Sequence, residues 1–349
     1  MNPKHLFIAG LWLFTLLSSR ALTLPPVLSD GVVFQRGHPI RLWGWSTPGS
    51  TVTAELSGSS AMATTDDTGQ WRIQLSARQM LSGHLLVRSS DGQSLTVRDP
   101  LLGQVWLCGG QSNMAMPLRR SDGRNKVHPI TGTNTSPVIR LFRAAGGKFE
   151  LPEGRWLPAT VRHARAFSAI CYLTGRAIGE ALNEPVGLID MSVGATRVAA
   201  WDPGASAGRT LSDQPFTRTL KNRPGYSFDT VVAPQAPFSA KGLIWYQGEG
   251  DAHREPDHYA RDLVAALTAW RNQWEAPELP IALIQLPGYS LAPSPSGWKA
   301  IQRAQKTAVK QLTNAELVPA QDLTFSQLHP TEKAEISRRT ARQILQRWY

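Results

Sequence analysis

The chain has 349 residues, 42% of them apolar and 18% charged, with 37 Lys and Arg against 26 Asp and Glu for a net charge of +11. That length suggests about two domains, and such a composition without low-complexity tracts excludes disorder, collagen and coiled coil. The 2 cysteines cannot build a disulfide scaffold, and the basic residues are dispersed without a basic-aromatic run, so no nucleic acid partner is expected.

Residues 1–21 read as a secretory signal peptide. Lys4 supplies the positive start, 6–17 is an uncharged, mostly apolar stretch too short to span a bilayer comfortably, and Ser19 and Ala21 are the small residues a signal peptidase needs. Cleavage after Ala21 puts the mature chain in a periplasm or outside the cell, with no membrane segment left. Residues 24–100 have the rhythm of a small antiparallel β-sandwich domain. Alternating runs at 40–45, 51–57, 70–75, 85–89 and 94–98 are separated by Thr47-Pro48-Gly49, Asp67-Thr68-Gly69 and Asp91-Gly92. From about 101 to 349 strands alternate with helices. Strands are predicted at 104–108, 186–193, 243–246, 281–286 and 316–319, with another at 138–142. Helices are predicted at 167–182, 258–274, 298–312 and 331–348. This alternation predicts an α/β fold, a parallel sheet with helices on both faces. The Pro-, Gly- and Ser-rich stretch 202–238 reads as an irregular excursion. Cys108 lies in an apolar run and Cys171 on the apolar side of a helix, so both are predicted to be free, buried thiols. The 12 tryptophans are mostly core, although a flat indole is also a stacking surface for sugars. Oligomeric state has no signal in the sequence.

In an open parallel sheet, ligands bind at the carboxyl ends of the strands. The first of these strands leads into Gly109-Gly110-Gln111-Ser112-Asn113-Met114, the second into Gly194-Ala195-Thr196, with Trp201 beyond. The third leads into Gln247-Gly248-Glu249-Gly250-Asp251, and the last into a loop carrying Asp322, Ser326 and His329. A serine, a glycine, a Gln-Gly-Glu and a histidine thus converge on one face, which fits acyl transfer. Ser112 is the candidate nucleophile and His329 its base. The N–H groups of Ser112 and Gly194, with the side chain of Gln247 or Asn113, are candidate oxyanion donors. Arg119, Arg197 and Trp201 are candidate substrate contacts. No metal or cofactor is called for: His253 and His258 have no common ligand spacing. The elbow motif of α/β-hydrolases is absent, because Met114 stands at its second glycine.

These blocks give the chain a specific likeness. Leu28-Ser29-Asp30-Gly31-Val32-Val33-Phe34-Gln35, Leu42-Trp43-Gly44-Trp45, the run from Val105 to Met114, Gly187 to Thr196 with Trp201, Ile244-Trp245-Tyr246-Gln247-Gly248-Glu249, and Leu328-His329-Pro330 with Lys333 occur in this order. The chain resembles the sialate O-acetylesterase family, a branch of the SGNH (GDSL-like) hydrolases that has acetylxylan esterases as relatives. The resemblance implies a flavodoxin-like catalytic domain behind a small β-domain. It further implies a serine esterase acting on acetylated sugars, sialic acid first, without a cofactor. An acetylxylan or other polysaccharide esterase, or a sugar-binding homologue with impaired catalysis, are the alternatives. Relatives usually carry Asp three residues before the histidine, where this chain has Ser326. They usually read Gln-Gly-Glu-Ser-Asn where it has Gly250-Asp251, and more often Gly-Gly-Thr where it has Gly194-Ala195-Thr196. With that Asp missing, Glu249 is expected to orient His329, by analogy with acetylxylan esterases. Asp322 is the second choice, and a Ser–His dyad oriented by a backbone carbonyl the third.

Overall fold

A computed structural model describes residues 20–76, 82–126, 137–144, 151–206, 220–253 and 256–349. The predicted leader lies outside the described residues except for Arg20 and Ala21. The strands begin with β1 (Val33–Gln35), β2 (Ile40–Trp45), β3 (Thr51–Leu56), β4 (Ser59–Thr64), β5 (Gln70–Leu75), β6 (Leu85–Ser89) and β7 (Ser94–Val97). They continue with β8 (Leu101–Gly110), β9 (Ile139–Arg143), β10 (Trp156–Pro158), β11 (Val186–Asp190), β12 (Gly242–Tyr246), β13 (Ile281–Ile284), β14 (Gly288–Tyr289), β15 (Ala315–Val318) and β16 (Thr324–Phe325). The helices are α1 (Ser112–Ala115), α2 (Val161–Ala166), α3 (Ala169–Leu182), α4 (Tyr259–Gln273), α5 (Pro295–Gln311) and α6 (Ala334–Trp348).

The described residues from 40 to 97 form strands and turns alone. β3 pairs antiparallel with β4 and β6, and β6 with β7, while β2 and β5 form a separate antiparallel pair. β5 alternates strictly: Trp71, Ile73 and Leu75 are buried while Gln70, Arg72 and Gln74 are exposed. That is the period-2 pattern of a sheet with one wet face. The inward residues join the same hydrophobic cluster as the rest of the chain.

The large sheet runs β10-β9-β11-β8-β12-β13-β15. Every pairing from β9 to β15 is parallel, and β10 is antiparallel on β9. β11, β12 and β13 are buried at every residue, as expected of strands covered on both faces. β8 is the pivot. Its first residues pair with β1, its middle with β11 and its end with β12. Successive side chains of a strand point to opposite faces. Cys108 meets Cys171 of α3, while the next position, Gly109, abuts Trp270 of α4. α3 and α4 therefore cover opposite faces, α3 packed with α6 and α4 with α5. The mostly parallel α/β sheet expected from the sequence is present.

Cys108 and Cys171 are not the free thiols the sequence predicts: they form a disulfide, Cα–Cα 6.0 Å. Both are fully buried, as their apolar surroundings indicated. What local pattern does not reveal is that the strand and helix place the two residues face to face at disulfide spacing.

Candidate active site

β8 lies between β11 and β12 in the sheet, so the loops that follow these three parallel strands meet at its carboxyl end, where ligands of open α/β sheets bind. The chain turns sharply there. Gly110 has φ +135°, and a Cβ on it would lie 2.0 Å from the carbonyl oxygen of Tyr246. Only glycine fits such an approach. Gln111 follows, its N–H bonded to that same oxygen at 3.1 Å, and Ser112 opens the short helix α1.

His329 sits on the loop between β16 and α6, and its Nε2 is 2.8 Å from Ser112 Oγ. This loop is held at both ends. Asn113 Nδ2 donates to the carbonyl of Leu328 at 3.0 Å. Asp122 N–H donates to the carbonyl of Thr331, and Asp122 Oδ1 accepts the N–H groups of Lys333 and Ala334, capping α6. Gly194 lies beside Ser112, its Cβ position 3.7 Å from Ser112 Cβ. The backbone N–H groups of Ser112 and Gly194 have no acceptor among the described residues. Two adjacent open donors flank a serine hydroxyl paired with an imidazole, which is an arrangement able to attack an ester carbonyl and hold its oxyanion.

Several sequence-predicted roles do not fit. Gln247 is no oxyanion donor. It is fully buried, its Nε2 lies within bonding distance of Gln111 Oε1, Thr196 O and Asp251 Oδ2, and its Oε1 accepts from Tyr259. It braces the loops from behind. Asn113 is equally committed, because its second Nδ2 hydrogen goes to Glu249 Oε1 at 2.5 Å. Glu249 is buried against Asn113 and makes no hydrogen bond to His329. Asp322 is on the surface in a two-pronged ion pair with Arg339. Nδ1 of His329 has no partner among the described residues, neither Ser326 nor the backbone carbonyl the dyad reading supposed. Trp201 is no sugar platform: it is fully buried, edge-on to Trp245 and tilted against Trp270, with its Nε1 on Thr196 Oγ1. Arg119 and Arg197 are partly buried at the same end of the sheet; Arg197 lies over Gly250, its Cγ 3.6 Å from that residue's Cβ position.

The electrostatics follow from burial. Glu249 is pushed up to about 7 by burial, against the Asn113 hydrogen bond and the Lys333 charge. Lys333 Nζ donates to Asn113 Oδ1 at 2.7 Å, and burial brings its ammonium down to about 8. His329 is lowered by burial and then by the Lys333 charge. Among the described residues no group of three or more His, Cys, Asp or Glu could share a metal, and no helix is long and apolar enough to cross a membrane.

A family model described as carbohydrate esterase, sialic acid-specific acetylesterase, matches residues 102–346. The chain belongs to this family. Sialate O-acetylesterase of Homo sapiens is 25% identical over 351 residues, covering 85% of this chain and 65% of its own length. That of Pongo abelii matches to the same extent, so the chain spans 65% of the length of these curated relatives. A carbohydrate acetylesterase from Xanthomonas citri has a similar structure, with TM-score 0.81 and 28% identity over 94% of this chain and 76% of its own.

As a member of this family the chain explains one of its own departures. Ala195, where relatives more often have glycine, holds φ +60°, a left-handed conformation that strains any side chain with a Cβ. The loop is gripped from outside. Lys221 Nζ donates to Gly194 O at 2.6 Å, Asn222 Nδ2 to Ala195 O at 2.8 Å, and Asn222 Oδ1 accepts from Arg197 N–H at 2.7 Å. Lys221 and Asn222 escaped the sequence reading because they sit in the irregular stretch 202–238, where no periodicity marks them.

Proposed function

We propose that the chain is an exported serine esterase that removes O-acetyl groups from sugars, acetylated sialic acid first. The observation that carries this reading is the 2.8 Å contact between Ser112 Oγ and His329 Nε2 beside two open backbone N–H groups. Ser112 attacks the acetyl carbonyl as His329 takes its proton. The oxyanion lies against the N–H groups of Ser112 and Gly194. The tetrahedral intermediate collapses to acetyl-serine, and His329 passes its proton to the departing sugar hydroxyl. Water, deprotonated by His329, then adds to the acetyl carbonyl; the carbon–Oγ bond breaks, acetate leaves, and His329 returns the proton to Ser112 Oγ. Arg119 and Arg197 are candidate contacts for the sugar, and the antiparallel strands between residues 40 and 97 precede the catalytic part of the chain. A buried disulfide supports an oxidising compartment, which agrees with the signal at 1–21. N-terminal sequencing of periplasmic or secreted material is expected to begin near residue 22.

The deciding assay is acetate release from O-acetylated sialic acid and from acetylated xylan, by the wild type and by Ser112→Ala. Losing a serine nucleophile costs about 10^6 in turnover in a well-studied case, so the variant should be silent while folding normally. Release from xylan alone moves the substrate to a neutral polysaccharide. Glycan binding without release from either makes the chain a binding protein, and a folded Ser112→Ala retaining half the activity removes Ser112 from the mechanism.

A further inference from the structure

Three polar side chains lie buried beneath the Ser112–His329 pair and take no part in the proton transfer. Asn113, Glu249 and Lys333 are each less than 4% exposed. An ammonium only donates, so Lys333 takes the amide oxygen and leaves the Nδ2 side for Glu249, which accepts there whether or not it carries a proton on its other oxygen. Between them an amide has one satisfied orientation, Nδ2 towards Glu249 and Oδ1 towards Lys333, which is the orientation observed. The remaining Nδ2 hydrogen then points to the carbonyl of Leu328. Asn113 follows Ser112 directly, and Leu328 directly precedes His329. One amide thus ties together the two peptide segments that carry the reacting side chains. In a low-dielectric site such a chain of charge-assisted bonds is stiff.

The carboxylates that would otherwise orient His329 are engaged elsewhere, Glu249 by Asn113 and Asp322 by Arg339. We propose that Asn113, locked between Glu249 and Lys333, is the positioning residue that delivers His329 to Ser112. It supplies through the loop backbone the orientation that a carboxylate on Nδ1 supplies in a triad. Glu249 and Lys333 act only by fixing which way that amide faces. This positioning role rests on the reading of Ser112 as nucleophile and His329 as its base.

The test uses the full mature chain with its disulfide intact. Two quantities are read: the rate at which a small fluorophosphonate labels Ser112, which needs the base but no sugar, and kcat and KM on a model acetyl ester. Asn113→Ala should slow labelling and kcat together by about 100-fold, the typical consequence of an ångström-scale misplacement, with KM changed less than about threefold and melting above the assay temperature. Glu249→Gln should cost less than about tenfold, because the glutamine oxygen still accepts from Asn113; an orienting acid would cost about 10^4. A folded Asn113→Ala labelled at the wild-type rate overturns the positioning role. So does a collapse in Glu249→Gln with Asn113→Ala nearly intact, which would return Glu249 to the acid's place. A wild type that does not label overturns the nucleophile reading, and the positioning role with it. Should Asn113→Ala not fold, Asn113→Ala/Glu249→Gln/Lys333→Met leaves no uncompensated charge and serves in the same two measurements.

Discussion

The disulfide between Cys108 and Cys171 yields a quantitative expectation. It closes a loop with a sequence separation of 63. On the chain-entropy account a loop of that size restricts the unfolded chain enough to stabilise the fold by about 4 kcal/mol. Unfolding entropy for a chain of this size is about 0.7 kcal/mol per degree, so the loss should lower Tm by about 6 °C. Protein unfolded and reduced in dithiothreitol, then refolded in the reductant, should melt that much lower than oxidised protein. The comparison keeps every atom but two hydrogens, so no cavity confuses it. Activity well below the transition should change less than twofold, because β8 at Cys108 is already gripped by β11 and β12. Thiol titration in denaturant should find no free thiol in the oxidised protein. If reduced and oxidised proteins melt within 1 °C of each other, the cross-link does not restrain the unfolded chain as reasoned.

Three further outcomes are expected. The neutral imidazole is the base, and burial and the Lys333 charge lower the His329 pKa from 6.5; activity should therefore persist at pH 6.5 and fail only below it, and in Lys333→Met the acid limb should move up. An acid limb centred above pH 7 in the wild type contradicts this. Ala195→Gly relieves a left-handed residue at φ +60° and should raise stability by up to about 1 kcal/mol in urea unfolding, with no gain if the loop strain is absent. Trp201→Ala should cost about 3–5 kcal/mol of stability, as a fully buried indole does, and leave KM for the sugar ester unchanged; a KM effect in folded protein would reinstate it as a sugar contact.

Elements with strong periodicity were legible. β5 and α3 were predicted within two residues of their ends, because Trp71, Ile73 and Leu75 alternate and Ile170, Thr174 and Ile178 repeat at helical spacing. β4 was missed: Ser59-Ser60-Ala61-Met62-Ala63-Thr64 has no hydrophobic alternation, and its one large apolar side chain, Met62, is exposed. β1 was missed because three residues are too few to show a period. The residues at strand ends were legible as a group, since topology alone sends Ser112, Gly194 and His329 to one side of a parallel sheet. Their hydrogen-bond partners were not. Gln247, Asn113 and Glu249 lie within a few residues of that face, yet which of them turns towards Ser112 and which braces the loops depends on competition among buried donors and acceptors. A motif names the residue types and leaves that competition open. Trp201 was misjudged for the same reason, because an indole near a site in sequence is equally suited to filling the space behind it.

β1 and β8 are neighbouring parallel strands with Val33 opposite Leu101. A parallel pair cannot be joined by a tight turn; the chain must make a crossover of a dozen or more residues, most often a helix. Here the whole antiparallel segment stands in the place of that helix. The chain leaves the sheet after Gln35 and returns at Leu101, points that strand spacing and rise put within about 8 Å of each other. Seen from the sheet, the segment is one long loop on a fixed pair of anchors, and the entropy of closing such a loop grows only with the logarithm of its length. As far as closure entropy goes the position is therefore a socket: exchanging a single helix for a much larger module there changes that term by only roughly 1–2 kcal/mol, and what ties this particular segment in place is the hydrophobic cluster it shares with the rest of the chain.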